Sequence, residues 1–150
     1  MLGKLEDYQI EELLNQQAVG RIGCHADNTT YIVPINYAYR DNNIYAHSAE
    51  GKKIEYMRKN PRVCFQVDQI KSITNWKSVI AWGEFHEITD RKEMVSIMQE
   101  IIQHIMPQVS EEQAHPSHGF AENESDIGTN LEIILYKISL TKKTGRFEQP

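Results

Sequence analysis

The stretch from His47 to Arg62 holds Lys52, Lys53, Arg58, Lys59 and Arg62 against only Glu50 and Glu55, in a chain that is otherwise acidic. Its first half reads His47-Ser48-Ala49-Glu50-Gly51-Lys52-Lys53. There the pattern passes from a β-like apolar run to a helical period. A strand-to-helix junction exposes free backbone N–H groups and the positive end of a helix dipole. An imidazole, a hydroxyl and two ammonium groups at such a point form a cradle for a phosphate monoester, which carries about −1.5 to −2 charges near neutrality. The competing reading is a solvated basic helix start beside a histidine satisfied within the fold.

Other chemistry finds less support. His115-x-x-His118, with His104 or His86, lacks the cysteine or carboxylate spacing of a zinc site, so no metal is expected. Cys24-His25 fails as a nucleophile pair, because adjacent strand residues point to opposite faces. No GxSxG elbow and no GxGxxG loop occurs. Cys24 and Cys64 lie in apolar strand-like segments and read as reduced, buried thiols. Trp76-Lys77-Ser78 opens a strand. Trp76 is either an aromatic at a barrel rim or a wall beside a planar ligand.

The elements that position these residues follow from hydrophobic period and turn chemistry. Glu6–Gln17 predicts a helix with Leu5, Tyr8, Leu13 and Leu14 on its apolar side. Ala18–Cys24 predicts a strand, followed by a turn at Asp27-Asn28-Thr29. Strict alternation from Tyr31 to Arg40 predicts one long strand. Pro34 within it cannot donate to a ladder, so it marks an edge, a bulge or a break. Asp41-Asn42-Asn43 is a hairpin turn, and Ile44–His47 the return strand. Gly51–Asn60 predicts a short helix, Val63–Asp68 a strand, and Ser78–Ile88 a longer strand with a bulge at Gly83. Asp90, with Glu93 three residues on, starts a helix that stops at Met106-Pro107. Pro107–Asn130 has little pattern and reads as a lid or loop over a site. Leu131–Leu140 is apolar on both faces at its start and predicts a central strand. Six strands joined mostly by short turns make a mainly antiparallel β fold, a small barrel with helices outside.

At 150 residues, with 16 Lys+Arg against 21 Asp+Glu, the chain suits one domain over residues 1–150. A net charge of −5 argues against nucleic acid or an anionic membrane as the main partner. No apolar run reaches the ~18 residues of a membrane span, and the N-terminus has no signal-peptide core. A cytoplasmic location is the expectation.

Five segments, in order, carry a resemblance: Tyr31–Asn36 (YIVPIN), Ile44–Lys53 (IYAHSAEGKK), Asn60–Val63 (NPRV), Trp76–Gly83 (WKSVIAWG) and Thr144–Arg146 (TGR). Together they resemble the pyridoxamine 5′-phosphate oxidase-like superfamily of FMN-binding split barrels. The branch they are most similar to includes the 5-nitroimidazole resistance proteins. The resemblance implies a six-stranded antiparallel split β-barrel of Greek-key type with flanking helices (α+β), one FMN-binding domain, and a homodimer with FMN at each subunit junction. It lays Val33, Pro34, Ile35 and Asn36 along the flavin ring, with the amides of Ile35 and Asn36 as backbone donors. It sets His47 and Ser48 at the ribityl-phosphate end and Lys52 and Lys53 on the phosphate. Ser78 then reaches the ring or ribityl chain, in many members from the partner subunit.

The implied activity is FMN-dependent reduction of a small planar acceptor of nitroaromatic or quinone type. The alternatives are a non-catalytic flavin-binding module tied to stress, or a split barrel holding haem or a deazaflavin. Where the oxidase itself has Arg, Lys and Gln, this chain has Ile32, Tyr37 and Ser78, which argues against turnover of pyridoxamine 5′-phosphate.

Overall fold

The computed structural model describes residues 1–108 and 133–150. Among them are eight strands: β1 (Leu2–Lys4), β2 (Val19–Ala26), β3 (Thr29–Asn36), β4 (Ala38–Arg40), β5 (Asn43–Ser48), β6 (Arg62–Ser72), β7 (Asn75–Glu87) and β8 (Ile134–Glu148). Three helices accompany them: α1 (Asp7–Gln16), α2 (Lys52–Lys59) and α3 (Arg91–Ile105). Six of the strands are those outlined by the sequence pattern, β4 is the second part of one of them, and β1 adds three residues. A single antiparallel sheet runs β3-β2-β6-β7-β8-β5-β4, with β1 joined to the far end of β8. The path does not close, so β3 and β4 remain at its two ends and the barrel is split between them.

Two tight turns set the register. Asp27 and Asn28 sit at φ 50° and 59°, Asp41 and Asn42 at 50° and 62°. Two consecutive left-handed residues are the turn that matches the twist of a two-residue hairpin, and Asp and Asn tolerate it best. Ala26↔Thr29 and Arg40↔Asn43 close the two hairpins.

The barrel interior is filled by alternate residues of β2, β3, β5, β6, β7 and β8, among them Ile22, Ile44, Phe65, Val79, Tyr136 and Ile138. Ile10, Leu13 and Leu14 of α1 and Ile54, Tyr56 and Met57 of α2 complete it. α3 buries Ile97, Met98, Ile101 and Ile105 against Tyr45 and Leu135, on the other face of β5 and β8. The start of β8 is thus covered on both faces, which its apolar sequence demanded. Asp90 caps α3 by accepting the Glu93 N–H at 3.0 Å.

Four local expectations change. The long strand from Tyr31 divides at Tyr37, whose buried hydroxyl donates to Leu14 O at 2.8 Å and whose N–H donates to Ala18 O. Tyr8 stands in solvent and Ile10 takes its place in the core. The last strand runs to Glu148, because β7 on one side and β1 on the other pair its polar second half. Near Gly83 the extra residue of the bulge is Thr141 on β8, since Trp82 faces Lys142 and Gly83 faces Leu140. Beyond Gln108, the segment read as a lid lies outside the described residues.

Two fully buried tyrosines, Tyr37 and Tyr136, differ in one respect. The Tyr37 hydroxyl has its carbonyl, whereas among the described residues the Tyr136 hydroxyl has no partner. Replacing Tyr37 by Phe should cost about 1 kcal/mol of unfolding free energy, while Tyr136→Phe should cost nothing or stabilise by up to about 1 kcal/mol. Urea denaturation checks both. An equal loss in the two variants would mean that the Tyr136 hydroxyl does have a partner.

Candidate functional site

β5 ends at Ser48, and after three intervening residues α2 begins, so the basic stretch stands at a strand-to-helix junction as its sequence required. Gly51 occupies the N-cap position and supplies no side-chain cap, which leaves the first-turn N–H groups of α2 open. The other end of α2 is moored to the β2–β3 hairpin. Lys59 pairs with Asp27 at 2.7 Å, and the Asn60 amide donates to His25 O at 2.9 Å.

Arg62 lies apart on β6, and the four cations of α2 divide into two groups. Arg58 is held by Glu50 and Glu87, and Lys59 by Asp27; these hydrogen bonds push both pKa values up. Lys52 and Lys53 have no carboxylate partner among the described residues. The Lys52 ammonium instead lies 5.4 Å from the Tyr31 ring and 5.8 Å from the Tyr56 ring. Those rings meet edge to face, and the ammonium sits over their electron-rich surfaces. Lys53 is half-buried beside Cys24, and burial holds its pKa below the ordinary lysine value. Burial likewise pushes the Cys24 thiol up, a shift that the nearby Lys53 charge opposes. Two uncompensated ammonium groups beside an uncapped helix start are suited to an anion with at least one negative charge.

Next to this corner runs β3, the end strand of the sheet. Tyr37 N–H bonds to Ala18 O, and β3 pairs with β2 from Val19↔Asn36 to Ala26↔Thr29. Antiparallel bonding alternates, so Tyr31, Val33 and Ile35 direct their backbone groups to β2. Thr30, Ile32 and Asn36 direct their N–H groups to the open edge, where Pro34 has none. The amide of Ile35 therefore belongs to the sheet, and that of Asn36 is free for a ligand. The Val33 and Ile35 side chains face the interior, whereas those of Pro34 and Asn36 stand exposed on the opposite face. His47 pairs with Leu135 and Ser48 with Ile134 at the end of β5. The Ser48 hydroxyl donates to Ala49 O at 2.8 Å.

Trp76 and Ser78 lie elsewhere. Both are on β7, separated from β3 by β2 and β6, and three strand spacings amount to about 14 Å. Trp76 donates through Nε1 to Glu148 at 3.1 Å, and Ser78 accepts from Gln66 at 3.0 Å. A single chain does not bring them to Lys52 and Lys53.

One feature was missed from sequence. The outer face of β3, β2, β6 and β7 holds a groove of about 730 Å³, lined by Arg21, Gly23, Ile32, Cys64, Gln66 and Trp82 among others. A row crosses it in register: Ile32, Gly23, Cys64, Trp82 and Lys142. Arg21 pairs with Asp68 at 3.3 Å at one end. Gly20 needs its missing side chain, because a Cβ there would lie 2.3 Å from the Phe65 ring. Gly23 does not, because a Cβ would meet only ordinary contacts of 3.7–3.8 Å. A strand glycine without an internal steric reason marks a place where another backbone or a ligand comes close, and this was the available sequence signal.

These features define a class: an open antiparallel split barrel with a basic corner at the split and an uncovered outer sheet face. The family model described as pyridoxamine 5′-phosphate oxidase matches residues 6–146, and the chain belongs to that family. A solved FAD-binding protein from Mesorhizobium loti is 28% identical over 99% of both chains, with a TM-score of 0.79. A proposed 5-nitroimidazole antibiotic resistance protein from Bacteroides thetaiotaomicron is 20% identical over 98% of this chain and 87% of its own, at TM-score 0.75. The FAD-binding protein from Mycobacterium smegmatis is 21% identical over 98% of this chain and all of its own, at 0.65. A curated relative, the uncharacterized protein RA0666 of Rhizobium meliloti, is 41% identical over 70 residues, 47% of this chain. The match spans about half, 46%, of that relative's length. Among the described residues no helix is long and apolar enough to cross a membrane, and no cluster of potential metal ligands occurs.

The two lysines flanking α2 should titrate apart. With its folded pKa below the ordinary value, Lys53 binds fewer protons in the folded than in the unfolded chain. Its contribution to stability therefore rises with pH across the window between the two values. Nζ-detected NMR of the free protein should show Lys53 losing its proton before Lys59, which Asp27 holds above the ordinary value. Titration in the reverse order would place Lys53 in solvent.

Proposed function

We propose that the chain, acting as one domain over residues 1–150, binds a flavin at the split, with its phosphate ester on Lys52, Lys53 and the open N–H groups of α2. The observation that carries this reading is the pair of ammonium groups left without carboxylates beside the unpaired edge of β3. They fit a phosphate in charge. The free N–H groups of Ile32 and Asn36 offer hydrogen bonds along the edge, and Val33 and Pro34 lie between them. His47 and Ser48 stand at the junction through which the ribityl-phosphate passes. The FAD-binding protein of Mesorhizobium loti, alike over nearly its whole length, supports a flavin as the ligand. FMN is the form proposed, since a terminal monoester is the group that one helix start and two ammonium groups neutralise.

The assembly proposed is a homodimer. Ser78 and Trp76 of one chain are too far from its own β3 edge, so they reach a flavin only from a second copy. The outer face supports this, because it exposes Val19, Ile32, Ile80 and Trp82 around Gly23, with Ile32 66% exposed. A bound flavin supplies hydride transfer at its ring. The chain's own part is to orient that ring by backbone donors and to exclude water with apolar walls. The activity proposed is reduction of a small planar acceptor, nitroaromatic or quinone, in the cytoplasm. Thr30, Ile32, Pro34 and Asn36, the outward side chains of β3, include no acid or base. That favours a second reading, a flavin-binding module without turnover, and acceptor-dependent oxidation of reduced nicotinamide separates the two.

The purified protein should be yellow and should bind added FMN. Lys53→Ala should weaken FMN by about 1.5–3 kcal/mol, the scale of a charged hydrogen bond, and leave riboflavin nearly unchanged. Isothermal calorimetry with both ligands checks this, and equal losses for the two would place the phosphate elsewhere. Sedimentation should give a dimer, and Trp82→Glu on the outer face should give a monomer. A Trp82→Glu protein that stays dimeric would move the interface to another surface.

A further inference from the structure

We propose that Arg58 is a positioning residue that keeps the Glu50 carboxylate away from the anion corner; the inference rests on the phosphate reading of Lys52 and Lys53. Glu50 immediately precedes the uncapped Gly51. It is two and three residues from the two ammonium groups that lack a carboxylate partner among the described residues. A carboxylate so placed is drawn both to an open helix N-terminus and to nearby lysines. Left to itself, it would occupy the position a phosphate needs and act as an internal competitor.

The structure turns that carboxylate the other way. Both terminal nitrogens of Arg58 donate to Glu50, each at 2.9 Å, while Arg58 Nε donates to Glu87 at the end of β7. Guanidinium is the one side chain whose rigid fork serves two carboxylates in this manner; a lysine carries the charge without the geometry. Glu87 fixes the guanidinium, and the guanidinium fixes Glu50. The remaining carboxylate of the helix, Glu55, stands exposed, and the Lys52 ammonium lies over Tyr31 and Tyr56. Exposed ion pairs contribute little to folding stability. The choice at issue is between two placements of one carboxylate, and a small bias decides it.

The test compares FMN and riboflavin dissociation constants in the parent protein, Arg58→Met, Glu50→Gln and the double variant. The parent should prefer FMN over riboflavin. Arg58→Met should weaken FMN roughly tenfold, the size of one charge-assisted hydrogen bond, and leave riboflavin unchanged. Glu50→Gln should keep the parent's FMN affinity, and adding it to Arg58→Met should restore that affinity, since the competitor is gone. If Arg58→Met does not fold, Arg58→Lys carries the test, with a smaller loss and the same rescue. A parent that does not prefer FMN overturns the phosphate reading and this inference together. A parent that prefers FMN, with Arg58 variants that keep the preference or are not rescued by Glu50→Gln, overturns this inference alone.

Discussion

An antiparallel sheet that stops before closing must leave a strand with one row of backbone groups unpaired, and the rest of this molecule is arranged around that row. Of the two end strands the longer is β3, and the split beside it is where α2 begins. An open edge of this kind invites another strand. Pro34 answers that hazard, because it removes the N–H midway between those of Ile32 and Asn36. An added strand would find a gap in its ladder. A ligand that needs one donor at each end of the interval, about 13 Å apart along the strand, would not. The same residue thus discourages strand pairing and leaves the edge usable.

Charge obeys a similar economy. Five cations in one short stretch would make a diffuse basic patch if all were free. Carboxylates from separate segments (Asp27 of the first hairpin, Glu50 of the loop and Glu87 of β7) hold Arg58 and Lys59, so at the start of α2 the uncompensated charge narrows to Lys52 and Lys53, with Arg62 apart on β6. Burial lowers the proton affinity of Lys53. An anion arriving there regains for Lys53 a partner that the folded chain withholds, and that is a source of binding energy a fully solvated lysine lacks.

The sequence made the frame legible where a single physical rule decides the outcome. Asp-Asn at both hairpins, the alternation of β6 and β7 and the apolar period of α3 each have one stable answer. Rules in competition hid the rest. Lys142 to Thr144 is polar and has no reason of its own to be a strand, yet β7 pairs it. Tyr8 and Ile10 lie about 200° apart on the helix, and Ile10 is the one that shares the buried face with Leu13 and Leu14. The basic character of the His47–Arg62 stretch was visible, but which of its cations stay free was not. That depends on carboxylates as distant in sequence as Asp27 and Glu87.

The two glycines of β2 show what kind of information a single chain omits. Gly20 and Gly23 look alike in sequence, and both cost backbone entropy in a strand. The fold explains the first, since the Phe65 ring fills the space of its side chain. Among the described residues nothing explains the second. It sits in the outer groove between Ile32 and Cys64, with room for a side chain it does not carry. The surrounding residues follow the same pattern: Ile32, Ile80 and Trp82 are apolar and exposed, and Ser78 is several strands from the edge that β3 leaves open. Each of these choices is poor for a lone barrel and sound for one whose outer sheet face is covered, which is the arrangement the proposed homodimer would supply.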